Sequence, residues 1–257
     1  RRLARHRSGR QVRTFDDHAR IWSDGGIVSR AGVVGVARMI VRKDLKVEWR
    51  GRVLVNQVLP FAALVMVMFA FALDGDDLLQ RAASGLAWMA TVLSMFVVIS
   101  RSFLVDTEDG ALDAMRVAGL DMRGVFVGKS AALFTQLLVL NVVLIALSLL
   151  LYHVSLTLES AILLVASVVC ATAGLAFVGV LYGGLAALSK GRETLLPLLV
   201  LPVVAPIVIG AARATESAYG TGGAQVGEGW PWVGLLLVFA VAFAIAGLLS
   251  FPALIEE

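Results

Sequence analysis

RSFLVDTEDGALDAMRVAGLDMRG, Arg101 to Gly124, is a charged island between two long apolar runs, Ala82–Ser100 and Val125–Leu151. Each run approaches or exceeds the roughly 20 residues a helix needs to cross hydrocarbon, and a segment with this much charge cannot lie in hydrocarbon itself. The reading of this junction, span to polar connection to span, decides the fold class. Within the island Asp106 or Thr107 can cap a short helix whose first turn carries Glu108 and Asp109, as the helix dipole prefers. On a 3.6-residue period Ala111, Leu112, Met115 and Ala118 share one side, and Asp109, Asp113 and Arg116 the other. Leu120, Asp121 and Gly124 then break the pattern. A short amphipathic helix between spans rests on the interface or against a partner. Two readings stand at this level: a solvated connection with helical content, or a docking helix for a cytoplasmic subunit.

Composition extends the junction to the whole chain. Apolar residues make up 59% of 257 and charged residues only 16%, and the mean hydropathy is +0.87. A soluble domain carries about 45–50% apolar and 25% charged residues, so this is an integral membrane protein. The lone Cys170 lies inside an apolar run, which leaves no disulfide framework and no zinc cluster. The high pI of about 9.4 does not point to nucleic acid, because the basic residues crowd the N-terminal fifth and the short connections. Residues 1–31 form a basic leader without the apolar core of a secretory signal; it is expected to be poorly ordered and is assigned no function.

Residues 32–52 read as an amphipathic interfacial helix, with Val36, Ile40, Leu45 and Val47 interleaved with Arg38, Arg42, Lys43, Lys46 and Arg50, and Trp49 placed for the headgroup zone. Residues 53–257 then hold six apolar runs, Val53–Leu73, Ala82–Ser100, Val125–Leu151, Ala161–Leu188, Leu195–Ala212 and Trp232–Leu254. Spanning segments must satisfy their own backbone, so all six are expected as helices. With the N-terminus cytoplasmic, 20 of the 22 Lys and Arg residues fall on that side; Arg81 and Arg213 alone fall outside. Without the leader the split is still 12 to 2, which puts both termini and the Arg101–Gly124 connection in the cytoplasm. The longest outer connection is expected at Arg213–Pro231.

Inside the runs, Gly179, Gly183 and Ala187, and again Ala242, Ala246 and Ser250, repeat at four-residue spacing and suit close helix contact within the bundle. Gln136 and Asn141 suit hydrogen bonds between helices. The fifth run is unusual: Pro197, Pro202 and Pro206 punctuate TLLPLLVLPVVAPIVIG just after Arg192 and Glu193. Pro202 and Pro206 free the carbonyls of Leu198 and Pro202 and bend the helix, and those carbonyls are expected to face the protein interior. The bend is either architectural or a hinge between transport states.

Catalytic chemistry is missing from the sequence. RGVFVGKS, Arg123 to Ser130, approaches a phosphate-binding loop, but Arg123 stands where the first glycine belongs and Lys129–Ser130 enter a membrane span. His153 and the Trp230-Pro231-Trp232 triplet suit interfacial positions better than metal or heme ligation. No C-x-x-C-H, H-E-x-x-H or nucleophile elbow occurs.

FLVDTEDGALDAMRVAGL (Phe103–Leu120), TLLPLLVLPVVAPIVIGAA (Thr194–Ala212) and the basic helix ARMIVRKDLKVEWR (Ala37–Arg50) together resemble the membrane subunit of a type-2 ABC exporter. More specifically, they are similar to the heme exporter protein B family, the permease of the cytochrome c maturation system. The resemblance covers about Val36 to Leu254. It implies an all-α permease of six transmembrane helices behind an interfacial helix, in the plasma membrane of a bacterium, without a catalytic site of its own. ATP would be hydrolysed by a separate cytoplasmic ATPase subunit. Other cytochrome c maturation membrane proteins would be partners, heme would be handled within the complex, and a homodimer of permease subunits is allowed. No cofactor is assigned to this chain. The ATPase-docking residues would be Asp106, Glu108, Asp109, Gly110, Leu112, Met115 and Arg116, and the kinked helix would carry Arg192, Pro197, Pro202 and Pro206. Heme export and ATP-dependent release of a heme-loaded chaperone both stand as the output. An exporter for a lipid, drug or polysaccharide and a non-transporting membrane scaffold are the alternatives.

Overall fold

The computed structural model describes residues 32–52, 56, 58–72, 76–108, 117, 119–152, 156–187 and 192–256. Among them are seven helices and no strand: α1 Val33–Gly51, α2 Leu59–Ala72, α3 Asp76–Glu108, α4 Met122–Tyr152, α5 Leu158–Ala187, α6 Arg192–Tyr219 and α7 Val226–Glu256. Five contain stretches long and apolar enough to cross a membrane: Ser84–Leu104, Met122–Leu150, Leu158–Ala186, Leu198–Tyr219 and Val226–Ala253. The first apolar run, expected as a sixth span, contributes α2, whose 14 residues rise only about 21 Å against a core of about 30 Å.

Two boundaries differ from expectation. α3 continues through Glu108, so Asp106 and Thr107 lie in its last turn and cap no helix of their own. The expected outer connection Arg213–Pro231 shrinks to a short 3₁₀ turn at Thr221–Gly223, because α6 runs on to Tyr219 and α7 begins at Val226. The reason is visible in the burial. Ile207, Ala211, Ala214 and Ala218 are all at most 2% exposed, so the inward stripe of α6 continues past Arg213 at helical spacing. Arg213 itself pairs with Glu216 one turn on, at 3.0 Å. Gly220 and Gly223 take positive φ, 66° and 82°, which releases the chain from the helix without Cβ strain.

α5 is the central post, packed against α3, α4, α6 and α7. Lipid is as apolar as leucine, so close backbone approach must do the work that hydrophobicity does in water. A Cβ on Gly179 would lie 2.3 Å from Ile99 Cδ1, and one on Gly183 would lie 2.5 Å from Ile99 Cγ2. The first small-residue stripe thus seats α3 on α5. The second does not act as expected: Ala242 and Ser250 are exposed, and Gly247 makes the contact, where a Cβ would meet the Phe126 ring at 2.0 Å. Polar bridges add direction. Thr91 Oγ1 donates to Asn141 Oδ1 at 2.8 Å, and Asn141 Nδ2 donates to Thr172 Oγ1 at 3.2 Å, joining α3, α4 and α5 as expected of Asn141. Trp88 Nε1 donates to Thr215 Oγ1 at 3.0 Å and ties α3 to α6.

Candidate functional site

The α1 sequence alternates apolar and basic residues, and the apolar stripe Val36, Ala37 and Ile40 is buried. It is buried against α4, and two glycines there make the contact possible. A Cβ on Gly124 would sit 2.8 Å from the Val33 carbonyl oxygen, and one on Gly128 would sit 2.8 Å from the Ala37 carbonyl oxygen. The string that approaches a phosphate loop is therefore the first turns of α4, and its two glycines are a seat for α1.

This close approach brings four charged side chains together where α1, α3 and α4 meet. Lys129, on the third turn of α4, and Asp106, in the last turn of α3, have side chains only 1% and 2% exposed, and their Nζ and Oδ2 are 2.5 Å apart. Lys43 on α1 donates to the other oxygen of Asp106, and its neighbour Asp44 lies 3.4 Å from Lys43 Nζ and 3.4 Å from Lys129 Nζ. Lys129 also donates to Ser102 Oγ at 2.9 Å and stands 4.7 Å over the Phe103 ring. Two ammonium groups face two carboxylates, so the cluster is neutral. That balance is what makes its burial tolerable, since an unpaired charge in such a place costs several kcal/mol.

The ionisation follows from the same contacts. Burial opposes the charged form of Asp106, and the end of α3, with its negative dipole, gives no help. The ammonium groups of Lys129 and Lys43 outweigh both and hold the carboxyl below its usual range. Burial likewise works against Lys43, and the carboxylates of Asp44 and Asp106 overcome it and raise its ammonium above the usual value. A cavity of about 50 Å³ adjoins the cluster, lined by its four charged residues, Arg101, Ser102 and Gln136 among others. It has room for a few waters. Gln136 Oε1 is buried there without a hydrogen-bond partner.

A family model described as CcmB protein matches residues 36–256. The chain belongs to the CcmB protein family. Among similar curated proteins, "Heme exporter protein B" of Paracoccus denitrificans is 29% identical over 219 residues, 84% of this chain and 95% of its own length. The protein of the same name from Rhodobacter capsulatus is 28% identical over 185 residues, 71% of this chain and 84% of its own. That from Haemophilus influenzae is 29% identical over 182 residues, 70% and 80% respectively.

In this CcmB-family chain the residues expected to dock a partner divide. Asp106, expected on the surface of a docking loop, is buried in the ion cluster and committed to two lysines. Its contacts hold the end of α3 to α1 and α4. Glu108 is the last residue of α3. Asp109, Gly110, Leu112, Met115 and Arg116 lie outside the described residues, as does His153. Arg192 begins α6, which contains Pro197, Pro202 and Pro206. α6 turns Val200, Val204 and Ile207 inward, while Leu198 is 68% exposed and Pro202 is exposed. These two residues, whose carbonyls lose a donor, are not covered by the other helices of this chain. Trp230 and Trp232 lie in the first two turns of α7, exposed and half-buried respectively.

Sequence reasoning missed the centre of the cluster. Lys129 counted only as a flanking charge and as part of the string that approaches a phosphate loop, Lys43 only as part of a basic face, and Asp44 was given no role. The available signal was a lysine enclosed by VFVG and SAALF, which no interfacial position explains.

Proposed function

We infer that the chain is the membrane permease subunit of the ABC transporter that acts in cytochrome c maturation. The observation that carries this is the family match across residues 36–256, joined to five helices of membrane-crossing length and polarity. It is a multi-pass protein of the bacterial inner membrane. An ATPase subunit and other proteins of the system complete the complex. In this reading ATP is hydrolysed by the partner, the permease performs no chemistry itself, and the output is heme export or release of a heme-loaded chaperone.

The finer arrangement belongs to the same proposal. The run at 53–73 supplies a sixth span, α1 lies along the cytoplasmic interface, and both termini are cytoplasmic, in keeping with the 12 to 2 bias of Lys and Arg beyond the leader. The connection after α3, with Glu108, Asp109, Gly110, Leu112, Met115 and Arg116, meets the ATPase. Two copies pair in the membrane, and heme is held within the complex. α6 flexes about Pro202 and Pro206 as the ATPase closes.

Co-purification tests the docking. Leu112→Asp places a charge in the apolar contact and should weaken association by about 2 kcal/mol or more. Undiminished recovery of the ATPase with a normally inserted Leu112→Asp chain refutes the docking surface. In a Cys170→Ala background, a cysteine at Gln225 should react with an impermeant reagent from outside, and one at Asp113 should not. Outside labelling at Asp113 overturns the orientation.

A further inference from the structure

Lys129 has two carboxylates within reach, and they belong to different helices. Asp106 Oδ2 on α3 is 2.5 Å away, and Asp44 Oδ2 on α1 is 3.4 Å away. Lys43 touches the same two acids. Asp106 stands two residues before the end of α3 at Glu108, where the connection read as ATPase-facing begins. Asp44 rides on α1, which Gly124 and Gly128 clasp to α4.

We propose that Asp106 and Asp44 are alternate partners of Lys129, so that the cluster is a latch transmitting movement of the ATPase-side end of α3 to α1. The proposal rests on the permease reading above. A displacement of that end that stretched Lys129 away from Asp106 would strand a buried ammonium if no second acid were near. With Asp44 in reach, Lys129 changes partner while Lys43 stays with Asp106, and every charge remains paired. The adjoining cavity of about 50 Å³ gives the ammonium somewhere to move, and the unpartnered Gln136 Oε1 in its wall can accept from it on the way. Two paired arrangements separated by a strained middle form a bistable element, the kind that turns a small shift into a discrete switch. A static clamp needs only Asp106, which already touches both lysines. Asp44 is the residue whose role separates the two.

The experiment is Asp44→Asn in the full chain, co-expressed with the rest of the complex, with Asp44→Glu as the conservative control. Four quantities are read: ATPase recovered with the permease, midpoint of thermal unfolding, ATPase rate, and holo-cytochrome c formed. For a latch, Asp44→Asn lowers the unfolding midpoint by the cost of one unbalanced ammonium but keeps recovery at the parental value, while holo-cytochrome c per ATP hydrolysed falls about tenfold, within the usual span of a coupling free energy. Asp44→Glu restores it. Parental yield from Asp44→Asn overturns the proposal. So does a loss of yield that merely tracks lost recovery, with holo-cytochrome c per ATP hydrolysed unchanged, because that is the behaviour of a clamp. Failure of the parent chain to bring down any ATPase refutes the permease reading itself, and is seen before a variant is made.

Discussion

Removing the Lys129 ammonium while keeping its bulk should be among the most damaging single changes outside the apolar core. In Lys129→Met the Asp106 carboxylate, 2% exposed, keeps only Lys43. At 2.5 Å and an effective dielectric constant of about 20 the gross attraction lost is about 7 kcal/mol. Several kcal/mol return because the ammonium need no longer be dehydrated, and the net loss is about 3 kcal/mol. The double change Lys129→Met, Asp106→Leu removes both charges and leaves Lys43 with Asp44, still neutral. Apolar replacement of a complete buried pair is commonly near neutral, so the double variant should return to within about 1 kcal/mol of the parent. The assay is reversible unfolding in mixed micelles, followed by helical circular dichroism and arranged as a double-mutant cycle. A Lys129→Met cost under about 1 kcal/mol, or a double variant no more stable than the single one, refutes the argument that charge pairing governs this junction.

Other consequences can be measured in the same preparation. Asp106 titrates below the ordinary carboxyl value of 3.8 in the folded chain, so its contribution to stability is present at neutral pH and is lost as the pH falls below 3.8 through the lowered value; Asp106→Asn should flatten that acid limb. Lys43, raised above 10.5, contributes fully below that pH and is lost only as the pH climbs through the raised value, so a stability loss centred near neutrality would contradict both assignments. Gly128→Ala sets a Cβ 2.7 Å from Ile40 Cβ and 2.8 Å from a backbone oxygen, and the overpacking should cost about 1–3 kcal/mol. Gly85→Ala, with nothing within 4 Å, is its control, and equal effects of the two would sink the seat assigned to Gly128. Pro202→Ala with Pro206→Ala should leave assembly intact and lower holo-cytochrome c relative to ATPase rate; unchanged values for both would reduce the prolines to shaping the bundle.

Polar bridges within the bundle were legible residue by residue, while the ion cluster was not legible as a constellation. Asn141 was readable as a bridge between helices, because an amide in hydrocarbon must find a partner. That the partners are Thr91 and Thr172 was not, since they lie 50 and 31 positions away. Asp106 illustrates the opposite error. Beside Thr107 and ahead of Glu108 it has the local chemistry of a helix start, yet α3 runs through it because two lysines from other helices satisfy the carboxylate. Local capping preference is worth about 1 kcal/mol, and a buried, doubly paired carboxylate outweighs it.

By itself the sequence determined the class: apolar runs too long and too uncharged for water, helical because hydrocarbon offers the backbone no other partner, with basic residues biased to one side. Those are properties of composition along one dimension, and they survive without knowledge of any contact. Tertiary structure decided what the few polar residues inside that pattern are for. Gly124 and Gly128 become a seat only when α1 lies across them, and Lys43, Asp44, Asp106 and Lys129 become one neutral cluster only when three helices converge. Burial charges a penalty to each of those ions separately, and the attraction that offsets it depends on distances across chain separations of 23 to 85 residues, which no periodicity in the sequence records.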